Sequence, residues 1–113
     1  MNLKNTILNY YQDVQLPDVS PDIVTLIIED GNDIVGDLMI SGYDHLESIE
    51  VRTKSLQNIR SLIITNNSLL KSIVFDDNAC EYANRVLISS LIEWFVLKRS
   101  SSIGKLHYRK LLF

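Results

Sequence analysis

The sequence predicts a mainly β chain, a short parallel β-solenoid of about three 24-residue coils with a short N-terminal helix. Three observations carry that expectation. Apolar triplets recur at a constant step, since Leu38-Met39-Ile40, Leu62-Ile63-Ile64 and Val86-Leu87-Ile88 are equally spaced along the chain. Inside each triplet the outer apolar residues fall two apart, which is the period of a strand, where i and i+2 share a face. Between the apolar segments lie turn formers, namely Ser41-Gly42, Asn66-Asn67-Ser68 and Asp76-Asp77-Asn78.

Each element follows from that frame. A second set of strands is read at Ile49-Glu50-Val51 and Ile73-Val74-Phe75, separated by the same step as the triplets. Leu46 over Leu70 and Leu56 over Cys80 repeat that step. Leu26-Ile27-Ile28 precedes the second set, and Phe95-Val96-Leu97 follows it, each at a slightly shorter step. These segments are rich in Ile and Val, which suit a pleated backbone. A unit of two short strands cannot bury its own apolar face. Stacking like units does, with equivalent residues roughly 4.8 Å apart. Ile40, Ile64 and Ile88 then form one inward ladder, and Val51, Phe75 and Leu97 another. The organisation expected is an N-terminal cap over 1–22, a repeat solenoid over 23–103, and a C-terminal cap or truncated coil over 104–113. Leu3, Ile7, Leu8, Tyr11 and Val14 recur at helical spacing and predict a helix over 3–13, ended by Pro17 and Ser20-Pro21. "KLHYRKLLF" reads as a final strand, a helical cap or half a coil.

The unit L-x-I-x(5)-L-x-x-I-x-V-x(4)-L, as in "LMISGYDHLESIEVRTKSL" and, with changes, "LIITNNSLLKSIVFDDNAC", resembles a divergent leucine-rich repeat of the BspA-like (Treponema-type) class. The resemblance covers about residues 23–103. It implies stacked parallel strands and a role in recognising a protein partner. The chain departs from that class after the strand, where Lys54-Ser55-Leu56 and Asn78-Ala79-Cys80 replace its Gly and Ala-Phe. A two-sheet β-solenoid outside the family stands beside it as an alternative.

Composition bounds the function. Hydrophobic residues make up 46% of 113, too many for a disordered chain and ordinary for one folded domain. Residues 1–97 carry 14 acidic and 6 basic side chains, and residues 98–113 carry 5 basic and no acidic ones. That basic tail lacks a pattern of stacking aromatics, so nucleic acid is not expected as a partner. Its cations read as a solvated edge that discourages strand-to-strand aggregation. The most apolar stretch, Val86–Leu97, is shorter than the ~20 residues a bilayer span needs and is interrupted by Glu93. No signal-peptide core is visible, so the compartment is left unknown: cytoplasmic by default, extracellular if the chain is a fragment of an exported protein.

No cofactor, metal site or catalytic residue is expected. Cys80 is the single cysteine and reads as a small buried residue. His45 and His107 are far apart and read as solvated. Asp30-Gly31-Asn32-Asp33 lacks the remaining acidic positions of an EF-hand and reads as a turn. Asn66-Asn67-Ser68 is a formal glycosylation sequon that matters only on export. The outward side of the strands says more. Ser48, Glu50 and Arg52 stand over Ser72, Val74 and Asp76, with Arg52 expected opposite Asp76. On the other strand set Met39, Ile63 and Leu87 line up outward, and this apolar stripe is the expected partner-binding face. The function expected is a non-catalytic protein–protein interaction module. Two alternatives are a fragment or degenerate repeat without independent function, and an enzyme with an unrecognised site. An open C-terminal coil would be a route to self-association.

Overall fold

A computed structural model describes residues 22–90, together with the backbone of three outlying strands at 5–8, 94–97 and 106–110. The described residues are mainly β, with no helix among them. The strands are β1 (Asn5–Leu8), β2 (Thr25–Ile28), β3 (Asp37–Ser41), β4 (Ser48–Val51), β5 (Ser61–Thr65), β6 (Ser72–Phe75), β7 (Arg85–Ser90), β8 (Trp94–Leu97) and β9 (Leu106–Lys110). From β2 onward successive strands alternate between two sheets. The first has the order β1-β2-β4-β6-β8 and the second β3-β5-β7-β9. Every pairing is parallel.

The register follows the apolar alignment of the sequence. Leu26 pairs with Ile49, Ile49 with Ile73 and Ile73 with Phe95 in the first sheet. In the second, Leu38 pairs with Leu62 and Leu62 with Val86, while Ile40 pairs with Ile64 and Ile64 with Ile88. A slip of one residue would turn each apolar set to water, so burial pins this register. The inward residues of both sheets meet in one core. Leu26, Ile28, Ile49, Val51, Ile73 and Phe75 enter it from the first sheet, and Leu38, Ile40, Leu62, Ile64, Val86 and Ile88 from the second. Leu46 and Leu70 close one corner, Leu56, Ile59 and Cys80 the other.

The helix expected over 3–13 is corrected where the chain is described. Asn5–Leu8 is strand β1, pairing with Thr25–Ile28. The open edge of β2 presents a row of unpaired N–H and C=O groups, and an added parallel strand satisfies them. Thr6 and Ile7 are β-branched and suit that extended backbone. Pairing thus outweighs the weak local preference for helix. The rest of the expected helix lies outside the described residues. At the other end, "LHYRK" is a strand, β9, which pairs with β7.

The corners recur as the strands do. Lys54 and Asn78, which follow β4 and β6 at the same distance, both take positive φ (58° and 62°). Gly31, in the corresponding place after β2, does so too (70°). Leu56 (54°) and Cys80 (56°) form a second such pair, Gly42 (81°) and Asn66 (56°) a third. Gly and Asn enter the left-handed region at low cost; Lys, Leu and Cys do so only under tertiary constraint. That constraint is visible in the hydrogen bonds between successive corners. Gly31 N–H donates to Thr53 O (2.9 Å), Lys54 N–H to Asp77 O (3.0 Å), Leu56 N–H to Asn32 O (2.7 Å) and Cys80 N–H to Ser55 O (2.9 Å).

Three buried polar side chains tie the corners down. Asn67 Oδ1 accepts the Tyr43 N–H (3.0 Å), and its Nδ2 donates to Ile40 O (3.0 Å). Asn32 Oδ1 accepts the Ile34 N–H at 3.1 Å. Ser55 Oγ donates to Glu29 O. No buried side-chain nitrogen or oxygen among the described residues is left without a partner.

Candidate functional site

Strand alternation sends every second residue of the second sheet outward. Met39 pairs with Ile63 and Ile63 with Leu87, so the three stand in one row across β3, β5 and β7. Adjacent members of such a row are roughly 4.8 Å apart. Met39 is 55% exposed. Ile63 and Leu87 are half-buried. Ser41, Thr65 and Ser89 run beside this row on one side, and Asp37, Ser61 and Arg85 on the other. The result is an apolar stripe between hydroxyl-bearing and charged borders.

The charged border is locally paired. The Asp37 carboxylate accepts from Arg60 Nε (2.8 Å) and Nη2 (2.9 Å), a bidentate and exposed ion pair. The Arg60 hydrogen bond and charge beside it hold the Asp37 carboxyl below its ordinary range, and the hydrogen bond and charge of Asp37 raise the guanidinium in turn. In an exposed pair this geometry fixes orientation more than it adds stability.

The outer side of the first sheet is different. Its central row reads Ile27, Glu50 and Val74, so a carboxylate interrupts the apolar side chains. Arg52, expected opposite Asp76, has its Nη2 3.5 Å from Glu50 Oε1 on the same segment. A parallel row of hydroxyls runs alongside, in which Ser48 Oγ donates to Thr25 Oγ1 at 3.1 Å.

The other sequence candidates fall apart in space or in chemistry. His45 is exposed in the turn before β4. The His107 side chain lies outside the described residues. Asp30 Oδ1 accepts the Thr53 N–H at 3.1 Å, and Asn32 Oδ1 accepts the Ile34 N–H, so the Asp-Gly-Asn-Asp segment uses side-chain oxygens to hold a corner. Among the described residues no group of three His, Cys, Asp or Glu side chains is placed to hold a metal ion. Among them, too, no helix is long and apolar enough to cross a membrane. Cys80 is fully buried, and burial pushes its thiol up to about 12. Thiolate, the reactive form, is then scarce at neutral pH.

A second feature escaped the sequence. The corner leading into β3 and β5 carries a cleft of about 240 Å³ lined by Asn32, Asp33, Val35, Lys54, Gln57 and Asn58. Val35 and Tyr82 at this side of the molecule are 63% and 64% exposed. A signal was present. Gly31, Lys54 and Asn78 sit at matching places after their strands, and polar residues follow each of the first two.

No family model matches the chain, and neither a curated protein nor a solved structure matches it.

Proposed function

We propose that the chain is a short parallel β-solenoid of leucine-rich-repeat-like type, about three 24-residue coils long, that serves as a non-catalytic protein–protein interaction module. The kinship with the BspA-like class rests on the L-x-I and L-x-x-I-x-V spacing. The partner face is the outward row of Met39, Ile63 and Leu87. One observation carries this reading: the row is apolar across β3, β5 and β7, gives way to His107 on β9, and reaches solvent at Met39. Monomeric proteins seldom leave a contiguous apolar stripe in water without a use for it. Stacked repeat surfaces mostly recognise other proteins, and a flat sheet face bordered by hydroxyls suits a protein surface better than a small molecule.

The test is the Ile63→Asp variant. A charge at the centre of the stripe should remove association with a protein partner, measured by cross-linking in a lysate of the source cells, while the fold stays intact by circular dichroism. Cross-linked products that match the wild type in kind and amount would remove the assignment.

A further inference from the structure

We propose that the corner cleft beside Lys54 is a saccharide-binding site, separate from the sheet face. The cleft of about 240 Å³ brings a carboxylate (Asp33), an ammonium (Lys54), two carboxamides (Gln57, Asn58) and one apolar side chain (Val35) to a single opening, over a buried Asn32. Elsewhere among the described residues three charged pairs are engaged. Asp37 holds Arg60, Glu47 holds Lys71 and Glu50 holds Arg52. Asp33, Lys54 and Asn58 are not: among the described residues their side chains enter no hydrogen bond or ion pair. Asp33 and Lys54 line one cleft without pairing with each other.

The remaining groups are held in place. Gln57 Nε2 donates to Glu81 Oε1 at 3.2 Å, which fixes the amide plane and leaves Oε1 to accept. Asn32 is anchored through the Ile34 N–H. The backbone corner is set by the bonds from Gly31, Lys54 and Leu56 to neighbouring segments. The floor of the site is therefore set before a ligand arrives, while the exposed Asp33, Lys54 and Asn58 side chains order on binding.

The ligand class follows from what these groups can do together. A sugar hydroxyl both donates and accepts. Carboxylate and amide oxygens accept from it, while ammonium and amide nitrogens donate to it. A pyranose also has a face of C–H groups, which packs on an apolar or aromatic surface. Val35 in the lining supplies such a surface, and the neighbouring segment carries Tyr82. Tyr82 is 64% exposed, and its N–H donates to Gln57 O at 2.8 Å, which places it one strand spacing from the cleft lining. An exposed ring with a polar tip is well suited to a contact that is apolar on one side and wet on the other. A free amino acid would satisfy Lys54 and Asp33 but would leave Asn58, Gln57 and Tyr82 without a role.

The experiment is a titration of the ¹⁵N-labelled full chain with glucose, galactose, mannose and N-acetylglucosamine in turn, and with glycine as a zwitterion probe. The expected result is a saturable shift of the Lys54, Gln57, Asn58 and Tyr82 amides with at least one sugar, at millimolar affinity as suits a shallow site. Asn58→Ala and Tyr82→Ala should each weaken that affinity about tenfold, with unchanged melting temperatures. No saturable shift with any of the four sugars would overturn the proposal. So would an equal response to glycine, or shifts that persist unaltered in both variants.

Discussion

The two sheets are alike inside and unlike outside. Their inward rows are both unbroken: Ile28, Val51 and Phe75 in one, Ile40, Ile64 and Ile88 in the other, all fully buried. Their outward central rows differ by one residue type. Ile27, Glu50 and Val74 carry a carboxylate in the middle, whereas Met39, Ile63 and Leu87 carry none. Inward rows must be apolar for either sheet to fold, so they say nothing about function. Outward rows are free to be polar. Where one stays apolar across three strands, stability does not demand it, and the residues are available for another use.

The inner likeness is tested by the largest expected effects. Phe75→Ala in the first sheet should cost ~3–5 kcal/mol and Ile64→Ala in the second ~2–5 kcal/mol, from lost transfer energy and the cavity left behind. Urea unfolding at equilibrium reads both. A loss below ~1 kcal/mol at either site would mean that the two inner rows do not contribute alike.

Asn67→Ala probes the corner that joins the sheets. The Tyr43 N–H and the Ile40 carbonyl both lose the Asn67 side chain as a partner. Leaving buried groups unsatisfied should cost about 2–3 kcal/mol, less than the core substitutions. A neutral result by the same urea assay would show that water reaches this corner.

Cys80 gives a pH-dependent version of the same question. Its folded-state thiol sits at about 12 through burial. An unfolded thiol titrates near ~8.5. Below that value neither state loses the proton, and stability is unaffected. Above it the unfolded chain ionises first, so stability falls by ~1.4 kcal/mol per pH unit until the folded thiol ionises too. Melts at pH 7.5 and pH 9.5 should therefore show a larger loss for the wild type than for Cys80→Ala, by about 1 kcal/mol. Equal losses would place the thiol in water.

Much of this fold could be read from the letters. The constant step between Leu38-Met39-Ile40, Leu62-Ile63-Ile64 and Val86-Leu87-Ile88 matches the register of the second sheet. The slightly shorter steps at the flanks match that of the first. Burial enforces such a pattern position by position, so it survives in the sequence. The short strand at Asn5–Leu8 was hidden because the reason for it lies in the edge of β2, outside the segment itself. The left-handed corners were half visible. Gly31, Gly42, Asn66 and Asn78 announce them, while Lys54, Leu56 and Cys80 adopt the same geometry with no local preference for it. The outward stripe was legible because alternation follows from register. The corner cleft was only hinted at, by Gly31 and Lys54 at matching places, because it is assembled from two segments, 31–35 and 54–58, whose side chains follow no period.

The outer contrast between the sheets is tested most directly by two aspartates compared side by side, Ile63→Asp and Val74→Asp. Both positions are half-buried on outward rows, one in each sheet. Thermal melts and cross-linking are recorded for each against the wild type. Both variants are expected to keep a melting temperature close to the wild type, and Ile63→Asp alone to lose association. If Ile63→Asp instead lowers stability by several kcal/mol, a part of the chain itself covers the stripe and the buried charge is what costs. That outcome, or equal association by the two folded variants, would contradict the claim that the outer face of the second sheet is where a partner docks.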